Sequence, residues 1–208
     1  MIYDATAEAE PIRQGDIFVG LPRIDLSLEK VVVVGESSER EIAWRDLAGK
    51  TEYIHIIVPV RSVAAIVVTQ DCDALRSRDI TLCEIRPFKE VEGKSKEVSS
   101  PKSWKSIITQ QARINQKWFY LPPDPSIGFS EKMGVDFMLT LRIARVDLEA
   151  LRSSRKGRLN PIADEHFRER IAEFFRRYPY DEWYPLNTEE MNAYKNEYPD
   201  VTPFPWQK

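Results

Sequence analysis

Residues 63–73 constrain the fold more than any other part of this chain. Six apolar residues, Val63-Ala64-Ala65-Ile66-Val67-Val68, run without interruption into Thr69, Gln70, Asp71, Cys72 and Asp73. A short run rich in Val and Ile that stops at polar residues reads as a strand covered on both faces. Its polar end is therefore delivered to the edge of a core, where a site would sit. Strand alternation puts Thr69, Asp71 and Asp73 on one side and Gln70 with Cys72 on the other, unless the chain turns at once. The alternative to a site is that Asp71 and Asp73 accept backbone hydrogen bonds in the following turn while Cys72 packs.

A chain of 208 residues that is 42% hydrophobic can bury a sizeable core in one elaborated domain. Its 30 Lys and Arg against 33 Asp and Glu leave a formal net charge of -3, which gives no global field for gripping nucleic acid. Any such contact needs a local patch. The apolar stretches are far shorter than a membrane span, and residues 1–10 are acidic and rich in small side chains, so the expectation is a cytoplasmic protein with no membrane partner. Two cysteines, Cys72 and Cys83, lie in apolar segments and read most simply as two buried reduced thiols.

The remaining elements follow from turn residues and periodicity. Gly15-Asp16 opens a short strand that Pro22 should close, and residues 31–34 form a second. Residues 44–51 read as a short helix or turn, and 53–60 as a third strand. A polar turn at 76–79 separates the central strand from another at 80–86, which predicts an antiparallel hairpin. Residues 89–100 read as a polar, mobile loop, and Ser100-Pro101 as the start of an inserted helix carrying Trp104 with Lys102, Lys105 and Arg113. Strand character returns at 117–121 and again at 135–146. Asn160-Pro161 then opens a helix to Tyr178, with Ile162, Phe167, Ile171, Phe174, Phe175 and Tyr178 as its buried stripe. Residues 179–208 form an aromatic and proline-rich extension suited to wrapping over the domain or a protein partner.

Several of these segments together resemble the PemK/MazF family of toxin-antitoxin ribonucleases. Gln14-Gly15-Asp16-Ile17-Phe18-Val19 is similar to the family's opening strand, and Ala65-Ile66-Val67-Val68-Thr69-Gln70-Asp71 to its central strand. Arg142-Ile143-Ala144-Arg145-Val146-Asp147, followed by Gly157-Arg158-Leu159 and a capped helix, is similar to its closing strand, linker and helix. The likeness covers about half the chain. It implies an α+β fold, a strongly bent antiparallel SH3-like barrel with a C-terminal helix, spanning 1–178 with insertions at 21–62 and 88–130. It also implies a homodimer acting on RNA. The family's Arg-Pro pair, which helps stabilise charge on the scissile phosphate, would fall at Ala64-Ala65, and its late hydroxyl residue would fall near Arg86. The usual catalytic pair is absent in register.

Three functional readings stay open at this point. The leading one is a PemK/MazF-like protein that binds RNA or a protein partner, with catalysis lost or altered. The second is a metal-independent endoribonuclease using Arg86 or Arg61 for phosphate charge and Thr69 or Asp71 for proton transfer. The third is a hydrolase or transferase centred on Cys72, which would need His55 or His166 to form thiolate. Candidate ligand-binding residues are Gln14, Gln70 and Asp73, with Lys102, Lys105 and Trp104 offering phosphate and stacking contacts to a single strand. Asp71, Asp73 and Glu84 carry oxygens suited to a hard cation, but their spacing matches no metal motif, and no metal or cofactor is expected. Arg152, Arg155, Lys156 and Arg158 add a second positive run for phosphate contacts, with a solvated linker as the alternative.

Overall fold

The computed structural model describes residues 2–35, 38–90 and 117–176, with isolated positions beyond. The chain divides into two compact units, Met1–Phe174 and Phe175–Lys208. The inserted helix expected after Pro101, and nearly all of the 179–208 extension, lie outside the described residues.

The first unit is a mixed α and β structure dominated by antiparallel sheet. Ten strands occur among the described residues: β1 (Tyr3–Asp4), β2 (Asp16–Ile24), β3 (Val31–Val34), β4 (Glu39–Ile42), β5 (Ile56–Ile57), β6 (Val60–Val67), β7 (Asp79–Pro87), β8 (Trp118–Leu121), β9 (Met133–Ala144) and β10 (Arg155–Leu159). Seven form one sheet in the order β1-β10-β2-β6-β7-β9-β8, and β4-β3-β5 form a second. The central run is β6, and it pairs antiparallel with β7 as predicted. No ladder joins β1 to β8 among the described residues, so the expected closed barrel is not formed. The sheet nevertheless curls. Six strand spacings of about 4.8 Å would hold the edges of a flat sheet roughly 29 Å apart, yet Tyr3 of β1 donates its hydroxyl to the carbonyl of Pro122, just past β8, at 2.8 Å. Its ring also meets the edge of Phe129.

Alternation along the strands divides the core in two. Ile17, Ile66, Cys83, Ile85 and Val135 point to one face, covered by the helix α3 (Pro161–Arg176) through Ala163, Phe167 and Phe174. Phe167 meets Phe119 edge-on at 5.0 Å and Phe137 at 5.8 Å. Asn160 caps this helix, accepting the Ala163 N–H at 2.9 Å, as its sequence predicts. The stripe differs from the expectation: Ile162 and Phe175 are exposed, and Ala163 takes the buried place, because the face is set by the curled sheet beneath it. Phe18, Leu21, Val63, Ala65, Val67, Leu82 and Leu141 occupy the opposite face. There Ala74 of the four-residue helix α1 (Asp71–Ala74) and Leu148 of α2 (Arg145–Ala150) pack over them.

Pro22 does not end its strand. β2 continues to Ile24, where Ile24 pairs with Val60, because Pro22 is exposed at the register position opposite Ser62 and the sheet tolerates its missing N–H there. Between Val19 and Leu21 the register slips by one residue. The extra residue is Gly20, whose φ of 90° suits only glycine without strain. The slip puts Phe18, Leu21 and Arg23 on one face. Residues 53–60 are not one strand: Ile56–Ile57 pairs with β3, Val60 already belongs to β6, and Tyr53 stands fully exposed, since alternating side chains without a covering layer bury nothing. Residues 21–62 supply the three-stranded sheet, the end of β2 and the start of β6.

The basic run at 152–158 is not a solvated linker. It contains β10, paired with β2, and Arg155 is buried against Asp16, Nη1 to Oδ2 at 3.1 Å. Arg155 also donates to the carbonyls of Ala7, Glu8, Glu10 and Pro11, tying the N-terminal segment to the sheet. Arg158 adds ion pairs to Asp16 and to Glu10. Burial disfavours its charge, but hydrogen bonding and attraction to Asp16 and Glu10 outweigh that and hold its pKa above the ordinary value.

Candidate functional site

The residues singled out in the sequence fall at opposite ends of β6 and β7. At the C-terminal end of β6 the strand stops at Val67, and the chain turns into α1 at Asp71. Alternation therefore does not extend through Gln70, Asp71, Cys72 and Asp73. Thr69 completes the sheet with its side chain, its Oγ1 accepting the Thr81 N–H at 2.8 Å and lying 3.4 Å from the Thr81 carbonyl. Asp71 Oδ1 accepts the Gln14 backbone N–H at 2.8 Å, and Gln14 in turn donates its amide to the Val68 carbonyl at 2.9 Å. Asp71 Oδ2 shares Arg168 with Asp164, at 3.3 and 2.7 Å. Burial raises the pKa of Asp164 above the ordinary value, with Arg168 opposing and Asp71 reinforcing the shift. These contacts lock the end of the central strand to the segment that leads into β2 and to α3, which is a structural use of every group they engage.

Gln70, Cys72 and Asp73 are exposed, and Asp73 faces Arg76 at 3.5 Å. Cys72 is thus not the packed thiol that its apolar neighbourhood suggested, because the helical turn rotates it outward. Cys83 is buried, and burial first, then the charge of Asp136, pushes its pKa up to about 12. His55 is exposed before β5, and His166 Nδ1 lies 3.7 Å from Glu169 on the outer side of α3. Glu84 is far from Asp71 and Asp73 along the sheet, so the three carboxylates do not assemble, and no His, Cys, Asp and Glu group able to hold a metal occurs among the described residues. Lys102, Lys105 and Trp104 lie outside the described residues.

The other end of the same strands holds a charge cluster. Ala65 pairs with Glu84 and Arg23 with Arg61, so alternation places Arg23, Arg61, Glu84 and Arg86 beyond the aliphatic residues of one face. The Glu84 side chain is only 1% exposed and both its oxygens are engaged. Arg61 Nη2 donates to Oε1 and Oε2 at 2.9 Å each, and Arg61 Nε donates to Asp25 at 3.0 Å. Arg23 Nη1 lies 3.1 Å from Glu84 Oε2, in an ion pair whose angle misses hydrogen-bond geometry, and its Nε reaches Asp25 at 3.4 Å. Arg86 Nε stands 3.8 Å from Oε1, and the Arg86 guanidinium makes no hydrogen bond among the described residues. The Glu84 hydrogen bond, against the cost of burial and with help from Asp25, raises the pKa of Arg61.

Asp136, opposite Glu84 on β9, is not part of this cluster. Its Oδ1 accepts the Met138 N–H, and its field acts on Cys83 of the helix-covered face. Three arginines and two carboxylates in mutual contact leave one positive charge over, and the Arg61 and Arg86 side chains are 47% and 32% exposed. A site of this kind suits an anion, because guanidinium forks recognise phosphate and carboxylate oxygens in two-point geometry.

Arg23 and Asp25 were missed in the sequence because Pro22 looked like a strand end. The alternation of Leu21 with Arg23 was the available signal. The structure also separates the groups that an endoribonuclease reading would combine. Thr69 is bonded to Thr81, five positions along β7 from Arg86, which at about 3.3 Å per residue is roughly 17 Å. Arg61 and Arg86 converge with each other, but not with Thr69 or Asp71. No family model matches the chain, and no curated protein matches it.

Proposed function

We propose that this chain is a PemK/MazF-like protein that binds single-stranded RNA through the Arg23, Arg61 and Arg86 face and does not cleave it. The curled antiparallel sheet closed on one face by a C-terminal helix is compatible with the SH3-like architecture of that family. One observation carries the functional reading: two partly exposed arginines from neighbouring strands converge on a buried, saturated carboxylate with a positive charge left over. A guanidinium held in place this way loses little freedom on meeting a phosphate, so the ordering cost of binding is low. Cleavage would further require a proton-transfer group within about 3 Å of the reacting oxygen. Thr69 and Asp71 are occupied elsewhere, and Glu84 has no uncommitted oxygen.

The test is fluorescence anisotropy with a short labelled single-stranded RNA, at several salt concentrations, with the RNA recovered and sized afterwards. The full chain should bind and leave the RNA intact. Arg61→Ala and Arg86→Ala should each weaken binding and lower the slope of log K against log salt by about 0.7, the value for one phosphate on a single strand. RNA cut in a manner abolished by changing Arg61, Thr69 or Arg86 overturns the proposal, as does binding that ignores both arginines.

A further inference from the structure

The charge balance of the cluster carries a finer statement about what it accepts, which rests on the RNA-binding reading above. Arg23, Arg61 and Arg86 supply three positive charges, and Glu84 and Asp25 remove two, each through direct contact. The remainder matches an internal phosphodiester, which carries one negative charge. A terminal phosphate monoester carries about 1.5 to 2 at neutral pH, so seating it would leave an unbalanced negative charge beside two carboxylates. One of those carboxylates is buried and cannot be relieved by water.

Neither acid has another evident task. Glu84 sits among Val63, Ala65 and Leu82 on a face that is otherwise aliphatic, a position where an apolar side chain would pack without an ionic partner. Asp25 is half exposed at the end of β2 and bridges Arg23 to Arg61. Both take up guanidinium N–H groups and fix which ones stay outward. Arg61 commits Nε and Nη2 and leaves Nη1 uncommitted, and Arg86 keeps its whole fork.

We propose that the cluster is a one-phosphate site selective for internal phosphodiesters over terminal phosphate monoesters, and that Glu84 and Asp25 are the positioning residues that set this selectivity. The experiment compares one RNA sequence carrying either a 5′-hydroxyl or a 5′-monophosphate, bound by the wild-type chain, Asp25→Asn and Glu84→Gln. Wild type should bind the two forms with a ratio near one. Each variant should favour the 5′-monophosphate form by about fivefold, the upper end for a single partly exposed charge interaction. A merely structural role for either acid would move both affinities together and leave the ratio unchanged. Asp25→Asn, at a half-exposed position, decides the outcome where Glu84→Gln fails to fold. A wild-type chain that already prefers the monophosphate fivefold overturns the inference, and so does a ratio that Asp25→Asn leaves unchanged. RNA binding that persists in those cases, with its dependence on Arg61 and Arg86, leaves the broader reading standing. Absence of any RNA binding removes both.

Discussion

Arg155→Ala should be the most damaging single change among the charged residues of the sheet. Its side chain is 1% exposed and its partner Asp16 is 0% exposed, so neither can turn to water when the other is lost. Removing one member of a buried pair costs about 3–5 kcal/mol, mostly because the survivor stays charged and buried. Arg158 remains beside Asp16, which favours the lower end. The carbonyls of Ala7 and Glu8 lie in an exposed segment where water can replace the guanidinium. A loss of about 3 kcal/mol in a chain of this size lowers Tm by roughly 6–12 °C. At a urea slope of about 2 kcal/mol/M it moves the midpoint by about 1.5 M. The control is Arg142→Ala, whose pair with Asp79 is mostly solvent-exposed on the arginine side and should cost under about 1 kcal/mol. Asp16→Asn added to Arg155→Ala should recover part of the loss, because it removes the stranded charge. Urea titrations of the four proteins decide the matter. The reasoning fails if Arg155→Ala costs no more than Arg142→Ala, or if Asp16→Asn gives no recovery in its background.

Iodoacetamide at pH 8 should label Cys72 in the native protein and leave Cys83 untouched until urea is added, since one thiol is exposed and the other is buried with a pKa pushed to about 12; mass spectrometry after digestion reads both, and native labelling of Cys83 contradicts the packing described. Asp164 binds its proton more tightly in the folded chain than in the unfolded one, so its contribution to stability falls as pH rises from the ordinary value of 3.8 through the raised folded value. Asp164→Asn should flatten the stability profile over that window, and a variant profile parallel to wild type would argue against the buried environment as the cause.

The sequence was most legible where a single period governed several residues together. The central run, the hairpin that follows it and the Asn160-capped helix all follow from local pattern, because burial on both faces, a polar turn and a side-chain cap each act within a few residues. Pairings between distant segments were not legible. Asp16 with Arg155 and Glu84 with Arg23 are set by strand order and register, and nothing in the linear text distinguishes such an arginine from a solvated one. The polar end of the central strand drew attention because reactive side chains gather there. In the folded chain Thr69 and Asp71 serve as fasteners, and the more cation-rich assembly lies at the far end of the same strand.

Gly20 decides which side of the protein Arg23 belongs to. If Gly20 were drawn into the ladder instead of bulging, it would take the place opposite Val63, and everything after it would trade sides, sending Arg23 toward the helix-covered aromatics and Pro22 toward Glu84. Deleting Gly20 would leave Leu21 opposite Val63 and the arginine cluster together, whereas a residue inserted between Leu21 and Arg23 would turn Arg23 away without altering one of the cluster's side chains. The charge cluster is therefore hostage to a spacing, and an insertion in this strand acts as a switch that no substitution at the arginines themselves could imitate.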